Sequence, residues 1–175
     1  MSTMSVTVRD ALAEDAAAIA RIQVDAWCAA YAGLIDDAFL AAMDVEHRIV
    51  TWGETVRTPP RGLALRVAEL DDEVIGWSAV STGHDPDGGE LRGYYVHPER
   101  WGQGAGRALM HDALRQLRDR GCRIAYLWVL IGNDSAMRVY EQFGWRLTGE
   151  EAERESRGIV LRETRMTRSL EERIP

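Results

Sequence analysis

Apolar positions along this chain recur with two different periods, and each switch between the periods marks an element boundary. Val6-Thr7-Val8-Arg9 alternates and predicts a first strand. From Asp15 onward, apolar residues fall three and four apart, at Ile19, Ile22, Ala26 and Ala30. That spacing predicts an amphipathic helix with Asp15 as its cap, ended or kinked by Gly33. A second helical piece is expected from Asp36 to about Met43, extending toward Thr55. Thr58-Pro59-Pro60-Arg61-Gly62 breaks it as a loop. Leu63 to Glu69 and Val74 to Ser81 flank the turn Asp71-Asp72-Glu73 and predict an antiparallel pair. A second turn, 83–89, is dense in Gly, Asp and Pro, and Glu90 to Val96 then predicts another strand.

Beyond residue 100 the periods switch again. Arg107 to Arg120 repeats apolar residues at Leu109, Ala113, Leu114 and Leu117, and Gly121 stops the helix. Cys122 to Ile131 is almost continuously apolar, which suits a strand buried on both faces and paired in parallel through the preceding helix. Gly132-Asn133-Asp134-Ser135 opens a helix from Ala136 to Gln142. Trp145 to Thr148 and Ile159 to Thr167 read as two last strands, and the charged run Glu150 to Glu155 between them as a solvated hairpin tip. The order β-α-α-β-β-β-α-β-α-β-β predicts an α+β fold. Its mixed, mostly antiparallel sheet has about seven strands flanked by helices, with one β-α-β unit at its centre. No repeat or low-complexity segment interrupts the chain, so residues 1–175 are expected to form one domain.

Composition narrows the function classes. The chain is 46% hydrophobic and 28% charged, ordinary for a soluble protein. A net charge of -7 argues against nucleic acid as a partner and gives weak support for a cationic substrate. Cys28 and Cys122 both lie in periodic segments and are expected as buried free thiols in a reducing compartment. No signal segment opens the chain and no apolar run reaches the ~18 residues of a membrane span, so a cytoplasmic location is expected. His47 has no acidic or thiol partner at metal spacing, and no metal site is expected.

The most informative segment is Tyr94 to Arg107, YYVHPERWGQGAGR. A strand ends at His97-Pro98, glycines follow at 102, 104 and 106, and a helix begins. Residues without side chains let backbone N–H groups approach an anion, and the helix behind adds its positive end. A dinucleotide turn, G-x-G-x-x-G, needs its last glycine where Arg107 or Leu109 stands. A P-loop needs Gly-Lys-Ser/Thr, and no lysine is near. A plain structural turn needs about one glycine rather than three.

Two motifs carry a family resemblance. The first is the strand-helix junction at Trp101, Gly104 and Gly106. The second is Asn133, Ala136 and Tyr140, followed by the turn Phe143-Gly144-Trp145. Together, over Glu90 to Gly149, the chain resembles the GNAT superfamily of acyl-coenzyme A-dependent N-acyltransferases. Trp101 stands where that family's pattern has Arg or Gln, which leaves the cradle to work mainly through its backbone, with Arg107 as a nearby charge. The resemblance implies that acetyl-CoA is the co-substrate. Its pantetheine would lie between splayed strands, along Tyr94, Tyr95 and Val96 on one side and Trp128 to Ile131 on the other. Its pyrophosphate would meet the amides of Gly102, Gln103, Gly104, Ala105, Gly106 and Arg107, with Asn133 near the pantetheine and Tyr140 near the sulfur. Trp27, Tyr31 and Gly33 fall in the region that shapes acceptor specificity. As a pair four apart on one helical face, Trp27 and Tyr31 equally suit a core.

The implied chemistry is attack of an amine on a thioester. The amine must be neutral, and at pH 7 deprotonation costs ~4.6 kcal/mol for a lysine-like amine but only ~1.4 for an α-amino group. A base is therefore useful. Glu90, which opens the central strand, is the first candidate, and His84 and Asp85 in the adjoining turn are others; each also reads as a solvated turn residue. Tyr140 is the candidate acid for the departing thiolate. His97 is expected to shape a strand end, His111 to lie on an exposed helix face, and Trp52, Trp77 and Trp128 to pack the core. The preferred reading is an N-acetyltransferase acting by direct transfer to an amine-bearing small molecule or peptide. The alternative is an acyl-CoA-binding sensor or partner module of the same fold with little transfer activity. Pairing of two copies through the final strands is compatible with the resemblance.

Overall fold

The computed structural model describes residues 5–156 and 158–175. Chain order gives β1 (Thr7–Asp10), α1 (Ala16–Tyr31), α2 (Asp37–Ala41), α3 (Val45–Arg57), β2 (Leu63–Leu70), β3 (Glu73–Thr82) and β4 (Gly88–Val96). There follow α4 (Ala105–Asp119), β5 (Ile124–Leu130), α5 (Asp134–Gln142), β6 (Arg146–Ser156) and β7 (Ile159–Ser169). The strands form one seven-stranded sheet in the order β1-β2-β3-β4-β5-β7-β6. Every neighbouring pair is antiparallel except β4 and β5. Those two are joined through α4, the β-α-β unit that the apolar run after Gly121 predicts.

Helices cover both faces because strand side chains alternate between them. On one face, Leu91, Leu127 and Met166 of the sheet pack against Met110, Leu114 and Leu117 of α4, and α5 adds Met137 and Tyr140. On the other, Ile19 and Ile22 of α1 pack on Val67 and Trp77, and Trp52 of α3 meets Trp77 edge-on at 4.8 Å. The Trp77 indole is held by donating to the Ile19 carbonyl at 3.1 Å.

Several local expectations are corrected. Asp15 precedes α1, but its carboxylate does not cap that helix. It turns back to accept from the Leu12 N–H at 2.7 Å and to pair with Arg9 at 2.7 Å, because a short 3-10 turn, Ala13–Asp15, comes first. The run Glu150 to Glu155 is not a hairpin tip. It lies inside β6, an edge strand whose acids meet Arg162 and Arg165 of β7. Charge on an edge strand keeps it from pairing with other chains, which is why a strand here carries so few apolar residues. Cys28 is exposed and Cys122 half-buried, both as free thiols. Trp128 does not join a core cluster: with Tyr126 and Leu130 it points to the face opposite Leu127, and it is half-buried opposite Arg165. His111 is half-buried rather than exposed, with Nε2 3.0 Å from the Pro175 carbonyl and its ring edge-on to Phe143.

Candidate active site

The site begins where β4 and β5 part. Among the described residues they pair at Gly88–Ile124, Gly89–Ala125 and Glu90–Tyr126, and nowhere beyond. β4 nevertheless continues to Val96 and β5 to Leu130, each held on its other side by a full ladder to β3 or β7. A bulge helps turn β4 away: Gly93 faces Ala79 and Leu91 faces Val80, so Arg92 is the extra residue. The result is a V-shaped gap whose closed end is the Glu90–Tyr126 pair.

The glycine segment lies at the open end. Gly102 and Gly104 adopt φ of 78° and 91°, and Gly104 caps α4 in the left-handed conformation. After Trp101, the next backbone N–H with a backbone acceptor is that of Ala108, on Gly104. Among the described residues, the N–H groups of 102–107 thus have no backbone acceptor and are open to a ligand or to water, at the positive end of a fifteen-residue helix. A Cβ on Gly106 would lie 2.7 Å from the Tyr94 hydroxyl, so the glycine lets that phenol sit against the first turn of α4. Trp101 is 57% exposed, and its indole donates to the Val96 carbonyl at 2.9 Å. Its side chain thus fastens the loop to the strand end. Gln103 and Arg107 are exposed, and Ala105 is buried.

Tyr94 and Tyr140 face each other with ring centroids 6.0 Å apart, and Tyr140 is also 6.2 Å from Trp145. Burial pushes both phenols well above their ordinary range. Asn133 is buried, and its Oδ1 caps α5 by accepting from the Ala136 N–H at 3.2 Å. The same asparagine orients the helix that carries Tyr140.

On the α1 face, Trp27 and Tyr31 pack edge-on at 4.9 Å, and the Trp27 indole donates to the Tyr95 hydroxyl at 3.1 Å. The structure therefore sends the Tyr94 side chain to one side of the sheet and that of Tyr95 to the other, toward the expected acceptor region. Val96 packs beneath α4. Glu90 is half-buried at the closed end, 3.7 Å from Arg92. His84 and Asp85 line a cavity of about 380 Å³ beside Arg120 and Cys122, and Asp85 also lies 3.8 Å from Arg165, which covers Tyr126 at the closed end of the gap. His97 accepts from the Glu99 N–H and lies 3.2 Å from Asp25.

Two pairings escaped sequence reasoning. Arg165 stacks over the Tyr126 ring at 4.5 Å, and Arg154 grips the buried Glu163 carboxylate at 2.8 and 3.2 Å. Both come from the last hairpin, where the alternation of strand residues was the available signal. Burial first, then the neighbouring Tyr95, Tyr140 and Glu163, hold the Tyr31 phenol far above its ordinary range.

A model of the acetyltransferase (GNAT) family matches residues 20–145. The chain belongs to the GNAT acetyltransferase family. Membership rests also on YuaI of Bacillus subtilis, an uncharacterized N-acetyltransferase 30% identical over 135 residues, 74% of this chain and 75% of that one. A mycothiol acetyltransferase of Kocuria rhizophila is 38% identical over 91 residues, 49% of this chain. The chain covers only 30% of that longer relative, and about a third of others of that name. Among solved structures, PaiA N-acetyltransferase from Thermoplasma acidophilum in complex with coenzyme A superposes with a TM-score of 0.71 over 95% of this chain and 99% of that one. At 17% identity, that likeness is one of fold. No helix of the described residues is long and apolar enough to cross a membrane.

Proposed function

We propose that the chain, as one domain, transfers an acetyl group from acetyl-CoA to a primary amine by direct attack. The observation that carries this reading is the gap between β4 and β5, with unpartnered amides at its open end and Tyr140 on its flank. In this reading the pantetheine lies along Tyr94, Tyr95 and Val96, and the pyrophosphate meets the amides of residues 102–107. The donor group of Asn133, whose oxygen is committed to Ala136, faces the pantetheine.

The amine approaches from the face of Trp27 and Tyr31. Glu90 takes its proton, directly or through water, and the nitrogen forms a bond to the thioester carbonyl carbon. The carbon–sulfur bond then breaks, and the second proton of the nitrogen passes through water to the departing sulfur, leaving a neutral amide and the free thiol. A thiol of pKa ~8.5 leaves readily as thiolate, while burial holds the Tyr140 phenol above its usual ~10. Tyr140 therefore stays protonated throughout and assists by hydrogen bonding to sulfur as charge develops, with the proton shared rather than donated outright. Neither free cysteine takes part in the transfer.

A free-thiol release assay with acetyl-CoA across a panel of amines tests the reading. Amine-dependent release is expected. Tight acetyl-CoA binding without release for any amine would identify a binding module instead.

A further inference from the structure

A second concave surface adjoins the gap. It is a groove of about 310 Å³ lined by Leu34, Ile35, Leu130, Ile131, Val160 and Leu161. It is assembled from three separate parts of the chain: the turn after α1, the end of β5 and the start of β7. Three of its walls remain open, with Leu34 42%, Ile131 36% and Val160 61% exposed. Large exposed apolar side chains scattered singly need no account, but three around one groove form a patch that does.

The groove is continuous with the expected acceptor face. Ile35, Leu130 and Leu161 also belong to the cluster that holds Trp27, with Tyr31 and Tyr95 packed against it. The Leu34 and Ile35 amides both donate to the Tyr31 carbonyl, so the loop that walls the groove is tied to Tyr31 itself. Leu34 spans to the β5–α5 turn, where a Cβ on Gly132 would lie 3.1 Å from its Cδ2.

Seven of the nine lining residues are apolar, and the other two, Asp36 and Arg162, carry opposite charges. Asp36 accepts from the Phe39 N–H through Oδ1, and Arg162 donates to Glu151. One acid and one base give the lining no net negative charge to hold a polyammonium chain or an aminoglycoside, whereas its aliphatic side chains offer contact to an apolar body. The volume lies at the lower end of small-molecule sites, ~300 Å³, whereas a second copy of the chain would need ~800 Å² of matching surface from each partner.

We propose that this groove holds the apolar body of the acceptor, and that the acceptor is an amine attached to an aliphatic or aromatic group. The inference rests on the transferase reading above. Burying such a group removes apolar surface from water in the complex with the enzyme, and a branched four-carbon group suffices for a tenfold or larger effect on kcat/KM.

The test compares L-leucinamide, glycinamide and spermidine as acceptors with saturating acetyl-CoA. Leucinamide and glycinamide carry the same reacting amine and differ only in the apolar group. The expected result is a kcat/KM for leucinamide at least tenfold above the other two. In Val160→Asp that preference should collapse toward unity, with the Kd for acetyl-CoA within about twofold of the parent. Transfer that favours glycinamide or spermidine overturns the groove assignment and leaves the transferase reading standing. So does a preference unmoved by Val160→Asp, or a dimer in solution that Val160→Asp dissolves. Acetyl-CoA binding without transfer to any amine overturns both.

Discussion

Glu90 lies opposite Tyr126 in the last residue pair that joins β4 to β5. One step further, the two strands are no longer partners. The carboxylate is therefore fixed at the closed end of the gap by backbone pairing, and it is held in a strand rather than in a mobile turn. This is the property a base needs when its distance from a reacting amine has to be kept within a few tenths of an ångström.

If Glu90 takes the proton, Glu90→Gln lowers kcat/KM at neutral pH by about a hundredfold and removes the acidic limb of the pH–rate profile. The loss is larger for lysine-like amines than for α-amines, which start closer to neutral. A profile that keeps its shape in the variant would exclude Glu90.

The cradle depends on backbone conformation. Gly104 has φ of 91°, and no atom lies within 4 Å of a Cβ built there. Gly104→Ala therefore meets no steric obstacle and acts only through the left-handed backbone, at ~1–2 kcal/mol. Calorimetric titration should show acetyl-CoA affinity weakened by about tenfold, with alanine pulling the loop away from its amide geometry. Parent-like affinity would mean that the amides of this loop do not carry the phosphates.

Asp15 makes a stability prediction independent of the site. Burial pushes its carboxyl up, but the hydrogen bonds from Arg9 and the Leu12 N–H outweigh this and hold it below the ordinary carboxylate range. A group held below its unfolded value of ~3.9 contributes its full stability above that pH and loses it as pH falls through the folded value. Asp15→Asn should cost about 2 kcal/mol in urea unfolding at pH 7, and at an acidic pH below the unfolded value of ~3.9 the gap to the parent should be narrower. An equal gap at both pH values would show that charge is not what stabilises this turn.

Much of this was legible before any coordinates. The alternating and helical periods place six of the seven strands and the α4 and α5 helices to within a few residues, because their buried faces are strongly apolar. The glycine segment is legible because the positive φ at 102 and 104 favours glycine. What the sequence conceals is pairing at a distance. Nothing local says that Arg154 meets Glu163, that Arg165 covers Tyr126, or that Asp15 turns back to Arg9. The β6 strand hid behind its own charges, since an edge strand with partners on only one side needs no apolar face. His84 and Asp85, close to Glu90 in sequence, line a cavity beside Arg120 and Cys122, and the contact of Asp85 with Arg165 is another pairing that no local pattern announces.

The central claim is that Tyr140 assists a thiolate leaving the gap between β4 and β5. Its most direct test is Tyr140→Phe, which deletes one oxygen from a ring fixed by Tyr94 and Trp145. Thiol release and acetyl-CoA binding are measured on the same preparation. The account predicts turnover reduced more than tenfold, with the Kd for acetyl-CoA within about twofold of the parent. Unchanged turnover would contradict it.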